Sequence, residues 1–185
     1  MAVVDLLSMH KLFLCNHIKP GGTVVDFTMG NGHDTEWLAK QVGVDGHVYA
    51  FDIQEQAVEN TRKRLTDAGL IDRCTLILDS HANALSYVKG PICAGVFNLG
   101  YLPGSDKKLT TMHESTRTAV EAAISLCDHD GIILVAVYPG HAEGTVEGNM
   151  LSEMLAELDR RQFSVSKFRI INSPASPYFF AIEKN

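Results

Sequence analysis

The sequence lacks paired cysteines, an excess of positive charge and any hydrophobic run long enough to cross a bilayer. Its four cysteines, Cys15, Cys74, Cys93 and Cys127, are widely scattered with no C-x-x-C spacing. That pattern argues against a disulfide scaffold or zinc site and reads as reduced, mostly buried thiols. The formal charge of −6 speaks against a large nonspecific nucleic-acid surface, which must neutralise phosphates. Small basic patches remain open at Lys107-Lys108 and at Lys167 and Arg169, although solvated surface charge is the ordinary reading. The longest apolar run, residues 131–138, is strand-sized, whereas a membrane span needs roughly 18 residues. Asp5, His10 and Lys11 interrupt the first apolar residues, and no basic start or small-residue cleavage site accompanies them. No signal peptide is therefore expected, and the protein reads as cytoplasmic. Nor is there a G-x-S-x-G elbow, a Walker A loop or an H-E-x-x-H zinc helix. The eight histidines never take metal-ligand spacing, so metal-free chemistry is expected.

What is present is one domain's worth of alternating segments. The 185 residues are 45% hydrophobic and 21% charged, ordinary values for a globular chain with a full core. Short, nearly continuous apolar runs at 23–27, 47–52, 75–78, 94–99 and 132–138 predict strands buried on both faces. Two more strands are expected at 163–171 and 178–183. Helical patterning falls at 3–17, 34–41, 54–68, 109–127 and 143–160, with Gly43, Gly69 and Gly131 where helices or turns should end. Alternating β and α units imply a parallel sheet with helices on both faces. The last two strands are separated by only about six residues, too few for a parallel crossover, so they must pair antiparallel. The expected fold is α/β: a Rossmann-like, seven-stranded, mostly parallel sheet with an antiparallel last strand, as in class I methyltransferases.

In such sheets ligands bind beyond the carboxyl ends of the strands at the topological switch point. The loop Asp26-Phe-Thr-Met-Gly-Asn-Gly-His-Asp-Thr35 follows the first strand. Gly30 and Gly32 allow close backbone approach to a ligand, and Asp34 or Thr35 is placed to cap the next helix. The second strand ends in Asp52, about twenty residues beyond Gly32, where a carboxylate accepts hydrogen bonds from ribose hydroxyls. The third ends in Asp79-Ser80-His81, within reach of an adenine edge. Each has an ordinary alternative: Asp26 satisfying loop amides, Asp52 capping a helix, Asp79 making a turn, His81 filling a structural role. NAD competes for this loop, but Thr35 stands where its fingerprint wants a third glycine or alanine. A diphosphate also prefers a helix start free of acids. Asp26 and Asp34 suit the cationic end of S-adenosyl-L-methionine instead.

The fourth strand ends in Phe97-Asn98-Leu-Gly-Tyr101-Leu-Pro103, similar to the N-P-P-Y signature of amino-methyltransferases with Leu-Gly replacing Pro-Pro. Methyl transfer from a sulfonium is an in-line displacement, so the enzyme must orient a nucleophile's lone pair. Asn98 is suited to accept a hydrogen bond from a target N–H, and Tyr101 offers a face for base stacking. The amine must shed a proton before attack. His141, in Tyr138-Pro-Gly-His141, is a candidate relay, with loop anchoring as the equal alternative.

The Asp26–Thr35 run resembles the D-x-T-x-G-N-G-H-D-T signature of a bacterial family long labelled rRNA methylases. That family is now associated with methylation of 5-(aminomethyl)-2-thiouridine at the tRNA wobble position. The resemblance extends to residues 97–107, to 138–141 and to the ending at 172–183, and Thr28 agrees with it. It implies a class I enzyme converting the aminomethyl group of a wobble uridine to methylaminomethyl. It also implies Asn31, Asp52, Gln54, Ser80 and His81 as cofactor contacts, and a possible homodimer. A tRNA anticodon loop is then the expected partner, with Lys107, Lys108 and Arg169 on its phosphates. The same cofactor site would serve a methyltransferase of rRNA or of a small amine.

Overall fold

Short apolar runs ending in aspartate or asparagine build the sheet. The computed structural model describes residues 6–100, 112–140 and 142–185. Among these, the strands are β1 Thr23–Asp26, β2 His47–Asp52, β3 Cys74–Leu78, β4 Ile92–Asn98, β5 Cys127–Val137, β6 Phe163–Phe168 and β7 Tyr178–Lys184. Burial follows position. Every residue of β4 before Asn98 is buried, as is β5 from Gly131 onward, whereas the edge strands β3 and β6 are mostly half-buried or exposed.

The order is β3-β2-β1-β4-β5-β7-β6. Neighbours from β3 to β5 are parallel, and β7 is antiparallel to both β5 and β6. Hence β7 slots between β5 and β6, and six strands run one way, as the short final connection requires. The order reverses between β1 and β4, which opens the switch-point crevice above β1.

The helices are α1 Leu6–His17, α2 His33–Val42, α3 Glu55–Asp67, the short α4 Ala84–Tyr87, α5 His113–Leu126 and α6 Ala142–Ala156. They cover both faces of the sheet. In α3 the buried side chains Ala57, Thr61 and Leu65 recur every fourth residue, the stripe that holds a helix to a sheet.

Several boundaries move, for local reasons. β5 begins at Cys127, earlier than expected: Cys127 pairs with Ile92, then residues 128–130 bulge before Ile132 meets Ala94. Asp130 takes a positive φ of 61° in that bulge, so Gly131 opens the straight part of a strand instead of ending a helix. α6 stops at Ala156 instead of 160, where the Asp159 side chain accepts the Arg161 amide and turns the chain. β6 ends at Phe168, and Ile171 beyond it is 91% exposed. The expected helix starts at 3 and 109 lie outside the described residues. None of the helices among the described residues is long and apolar enough to cross a membrane.

Candidate active site

Beneath the crevice, the last core residues of β2 and β4 and the residue just after β1 are phenylalanines. Phe27 stacks on Phe97 with centroids 4.2 Å apart and on Phe51 at 6.1 Å. All three are at most 1% exposed. Gly95 makes room for them, since a Cβ there would sit 3.0 Å from Phe27 and 2.8 Å from Ile133.

The loop above this row is held from below by Asp26. Its Oδ1 accepts the Thr28 amide at 3.1 Å and its Oδ2 accepts the Thr35 hydroxyl at 2.6 Å. Asp26 is 1% exposed. Burial, reinforced by the negative Asp34, pushes its carboxyl up to about 7. Asp26 therefore shapes the loop from inside, the ordinary alternative for it, and does not face the crevice. Gly30 and Gly32 take positive φ of 50° and 75°, and a Cβ on Gly32 would lie 2.8 Å from the Thr61 side chain. Both glycines are required by conformation, the second also by space.

Asp52 bridges the loop to the next strand end. Its Oδ2 accepts the Gly30 amide and its Oδ1 the Gln54 amide, each at 3.0 Å. A carboxylate has about four acceptor positions, so these amides leave capacity for a ribose hydroxyl. Burial raises Asp52 above the usual carboxylate value, with the Gln54, Gly30 and Ile53 amides offsetting part of the rise. Ile53, which sequence reasoning passed over, is 59% exposed beside it and offers an apolar face for a flat ring. The signal was an isoleucine directly after a strand-ending acid.

Three expected cofactor contacts have protein partners of their own. Asn31 Oδ1 accepts from Asn60 Nδ2 at 2.9 Å, toward α3. Asp79 receives the Ser80 amide, the Asn83 amide group and the Tyr87 hydroxyl; these bonds hold it below the ordinary carboxylate value. His81 is 8% exposed, and its Nδ1 meets the Phe27 carbonyl at 3.1 Å. Since a carbonyl only accepts, Nδ1 carries the proton; burial lowers the pKa of this ring. Asp79 and His81 thus take the ordinary roles of turn and anchor. Ser80 Oγ accepts the Ala82 amide. Helix α2 also corrects an expectation. It starts at His33 after Gly32 with no side-chain cap, because Thr35 is turned inward to Asp26 and Asp34 is engaged by Asn98.

Asn98 closes the crevice on the β4 side. Its backbone N–H donates to Thr28 Oγ1 at 2.7 Å and its Nδ2 donates to Asp34 Oδ2 at 2.7 Å. This explains Thr28: the hydroxyl joins the β1 loop to the β4 end, which a glycine could not do. Behind Asp34, His10 Nε2 and Lys11 Nζ lie 3.8 Å and 3.4 Å from Oδ1. A cavity of about 10 Å³ touches both His10 and Asn98. Sequence reasoning missed His10, for its segment carries no motif. Nearby, His113 Nδ1 and its backbone N–H both donate to Glu143 Oε1, at 2.8 and 2.9 Å, tying the starts of α5 and α6 together.

Tyr101, Lys107, Lys108 and His141 lie outside the described residues. Arg169 follows β6 on the same sheet end as Asn98, and its guanidinium donates to the Pro174 carbonyl at 3.2 Å. All four cysteines are free thiols, and burial pushes Cys74 up to about 12 and Cys127 up to about 11.

With this geometry in view, known proteins provide context. The sequence profile of the family described as "Putative rRNA methylase" matches residues 48–184. A chloroplastic tRNA (mnm5s2U34)-methyltransferase of Arabidopsis thaliana is 33% identical over 170 residues, 86% of this chain and 62% of that protein. The chain thus spans less than two thirds of that relative's length. A crystal structure from Clostridium thermocellum, titled an rRNA-methylase of "putative" standing, superposes with a TM-score of 0.96 at 41% identity over the whole of both chains. A methyltransferase structure from Streptococcus mutans, solved in complex with SAH and similarly titled, gives 0.90 at 31%, also over both whole chains. The chain belongs to this rRNA-methylase family, and its fold is that of the S-adenosylmethionine-dependent class I methyltransferases.

Proposed function

We propose that this protein is an S-adenosylmethionine-dependent N-methyltransferase that converts the 5-aminomethyl group of a tRNA wobble (2-thio)uridine to 5-methylaminomethyl. The observation that carries the proposal is Asn98. It stands at the β4 end beside the glycine loop, its backbone fixed by Thr28, and its side chain can accept a bond from an amine N–H. The tRNA wobble assignment of the 33% identical relative supports the choice of substrate.

The residues fit the cofactor: acceptor capacity left on Asp52, an exposed Ile53 and glycines that admit close approach. The bound cofactor supplies an electrophilic methyl on a sulfonium. The protein's part is to hold the amine neutral and aimed. The carbonyl end of the Asn98 side chain accepts one amine N–H, leaving the lone pair toward the methyl carbon. The amine would take its methyl from the cofactor's C–S bond as the N–C bond forms, and the proton lost from the starting ammonium would go to solvent. In this reading Arg169, Lys107 and Lys108 take phosphates of the anticodon loop. We place this activity in the cytoplasm, in keeping with the free thiols.

Mass analysis of tRNA nucleosides after gene deletion tests the assignment. Loss of the methylaminomethyl nucleoside with accumulation of its aminomethyl precursor is expected. An unchanged profile rejects the wobble substrate.

A further inference from the structure

We propose that Asp34 and His10 are positioning residues that set which end of the Asn98 amide faces the acceptor amine. The proposal rests on the reading that Asn98 receives that amine. The two ends of an asparagine side chain are almost the same shape, so packing alone barely distinguishes them. Their chemistry is opposite. Turned one way, Asn98 offers a carbonyl that accepts the amine N–H and leaves the lone pair free. Turned the other way, it offers an NH2 that donates into the lone pair and blocks attack.

An ionised carboxylate accepts only. Placed 2.7 Å from Nδ2, Asp34 selects the productive orientation, and the backbone bond to Thr28 removes translation. Asp34 must stay ionised to select. Burial works to raise its pKa, yet His10, Lys11 and Asn98 outweigh it and hold the carboxyl below the ordinary value. His10 is the buried part of this support. It is 6% exposed, and among the described residues its Nε2 has no hydrogen-bond partner, although Asp34 Oδ1 lies 3.8 Å away. Burying an imidazole nitrogen without a partner is unfavourable. Its placement over the Asp34 carboxylate, beside the small cavity it shares with Asn98, accounts for it. Asp34 thereby moves from the cofactor's side of the site to the acceptor's side.

The test measures two quantities on each variant: SAH affinity by calorimetry, and kcat with KM on a tRNA anticodon stem-loop carrying the aminomethyl group. Asp34→Ala should lower kcat by about 100-fold, the penalty of a misaligned reacting group, while SAH affinity stays within about twofold. His10→Ala should lower kcat by about tenfold, and His10→Gln, whose amide N–H can take the place of Nε2–H, should restore most of it. The exchange variant gives the sharpest readout. Asp34→Asn and Asn98→Asp are each expected to impair turnover. Together they should recover at least tenfold over either alone, because Asn at 34 then donates to Asp at 98 and leaves one carboxylate oxygen for the amine. A parallel loss of SAH affinity in Asp34→Ala, or no recovery in the exchange, overturns the proposal. If Asn98→Ala itself turns over normally, the reading of Asn98 fails. If Asn98→Ala is inactive and Asp34→Ala is not, only the positioning role fails.

Discussion

Asp26 at the end of β1 and Asp34 in the first turn of α2 stand eight residues apart, yet the protein treats them in opposite ways. Asp26 lies under the loop with neutral partners, an amide and a hydroxyl, and burial pushes it up to about 7. Asp34 lies at the rim, where His10, Lys11 and Asn98 hold it low despite burial. The difference teaches that partners of the right kind can outweigh burial in setting a carboxyl's charge. The amide and hydroxyl at Asp26 offset only part of the cost of burial, whereas two basic side chains and the Asn98 amide together outweigh it at Asp34. One acid serves as scaffold and the other as a charge with work to do at the crevice.

The comparison breaks most visibly in stability against pH. A carboxyl raised in the folded state binds its proton more tightly than in the unfolded chain. Asp26 therefore disfavours folding progressively as pH rises from about 4 to about 7, and by a constant amount above. Asp34, lowered, contributes stability above its unfolded value and loses it as pH falls through its folded value, a separate and more acidic window. In Asp26→Asn, the Asn carbonyl still accepts the Thr28 amide, and its NH2 donates to Thr35 once that hydroxyl turns round. The variant should gain on the order of 4 kcal/mol relative to wild type at pH 8 and nothing at pH 4. Urea unfolding at both pH values measures this, and a gain that is equal at the two would refute the raised Asp26.

A smaller effect is expected where the two carboxylate regions meet. Thr28→Val keeps the shape but removes the acceptor of the Asn98 N–H, leaving a donor unsatisfied. It should cost about 1–3 kcal/mol in stability and lower kcat with little change in SAH affinity. Thermal melting together with the methylation assay would show a purely structural role if stability fell and kcat did not.

The smallest effect should come from Lys11→Met. The Lys11 side chain is 36% exposed, and such pairs contribute under about 1 kcal/mol. A Met stem still covers Trp37, over which Lys11 now sits. A loss above that size would show that the rim charge depends on Lys11 more than on buried His10.

The parallel sheet, the antiparallel ending and the Asp52 arm were legible in the residues because each follows from something contiguous. A six-residue connection forces an antiparallel pair, and an acid at a strand end about twenty residues beyond a glycine loop stands where it can bond that loop, as Asp52 does with Gly30. The acceptor side was less legible. His10, Asp34 and Asn98 come from α1, α2 and β4, and nothing in a linear pattern ties residue 10 to residue 98. Asp34 and Thr35 were misread as helix caps for a related reason. Cap preferences are local, whereas the contacts that claimed these side chains, Asn98 for one and buried Asp26 for the other, are tertiary. Asn31, Asp79 and His81 show the same limit, since their polar groups were visible but their protein partners were not.

The three stacked rings beneath the crevice carry one more consequence. Phe51 directly precedes Asp52, and Phe97 directly precedes Asn98, with Phe27 clamped between them at 6.1 and 4.2 Å. Aromatic rings are nearly incompressible, so the row works as a gauge block between the two arms of the site. The distance between Asp52 and Asn98 is thereby fixed by the thickness of carbon rings in the core.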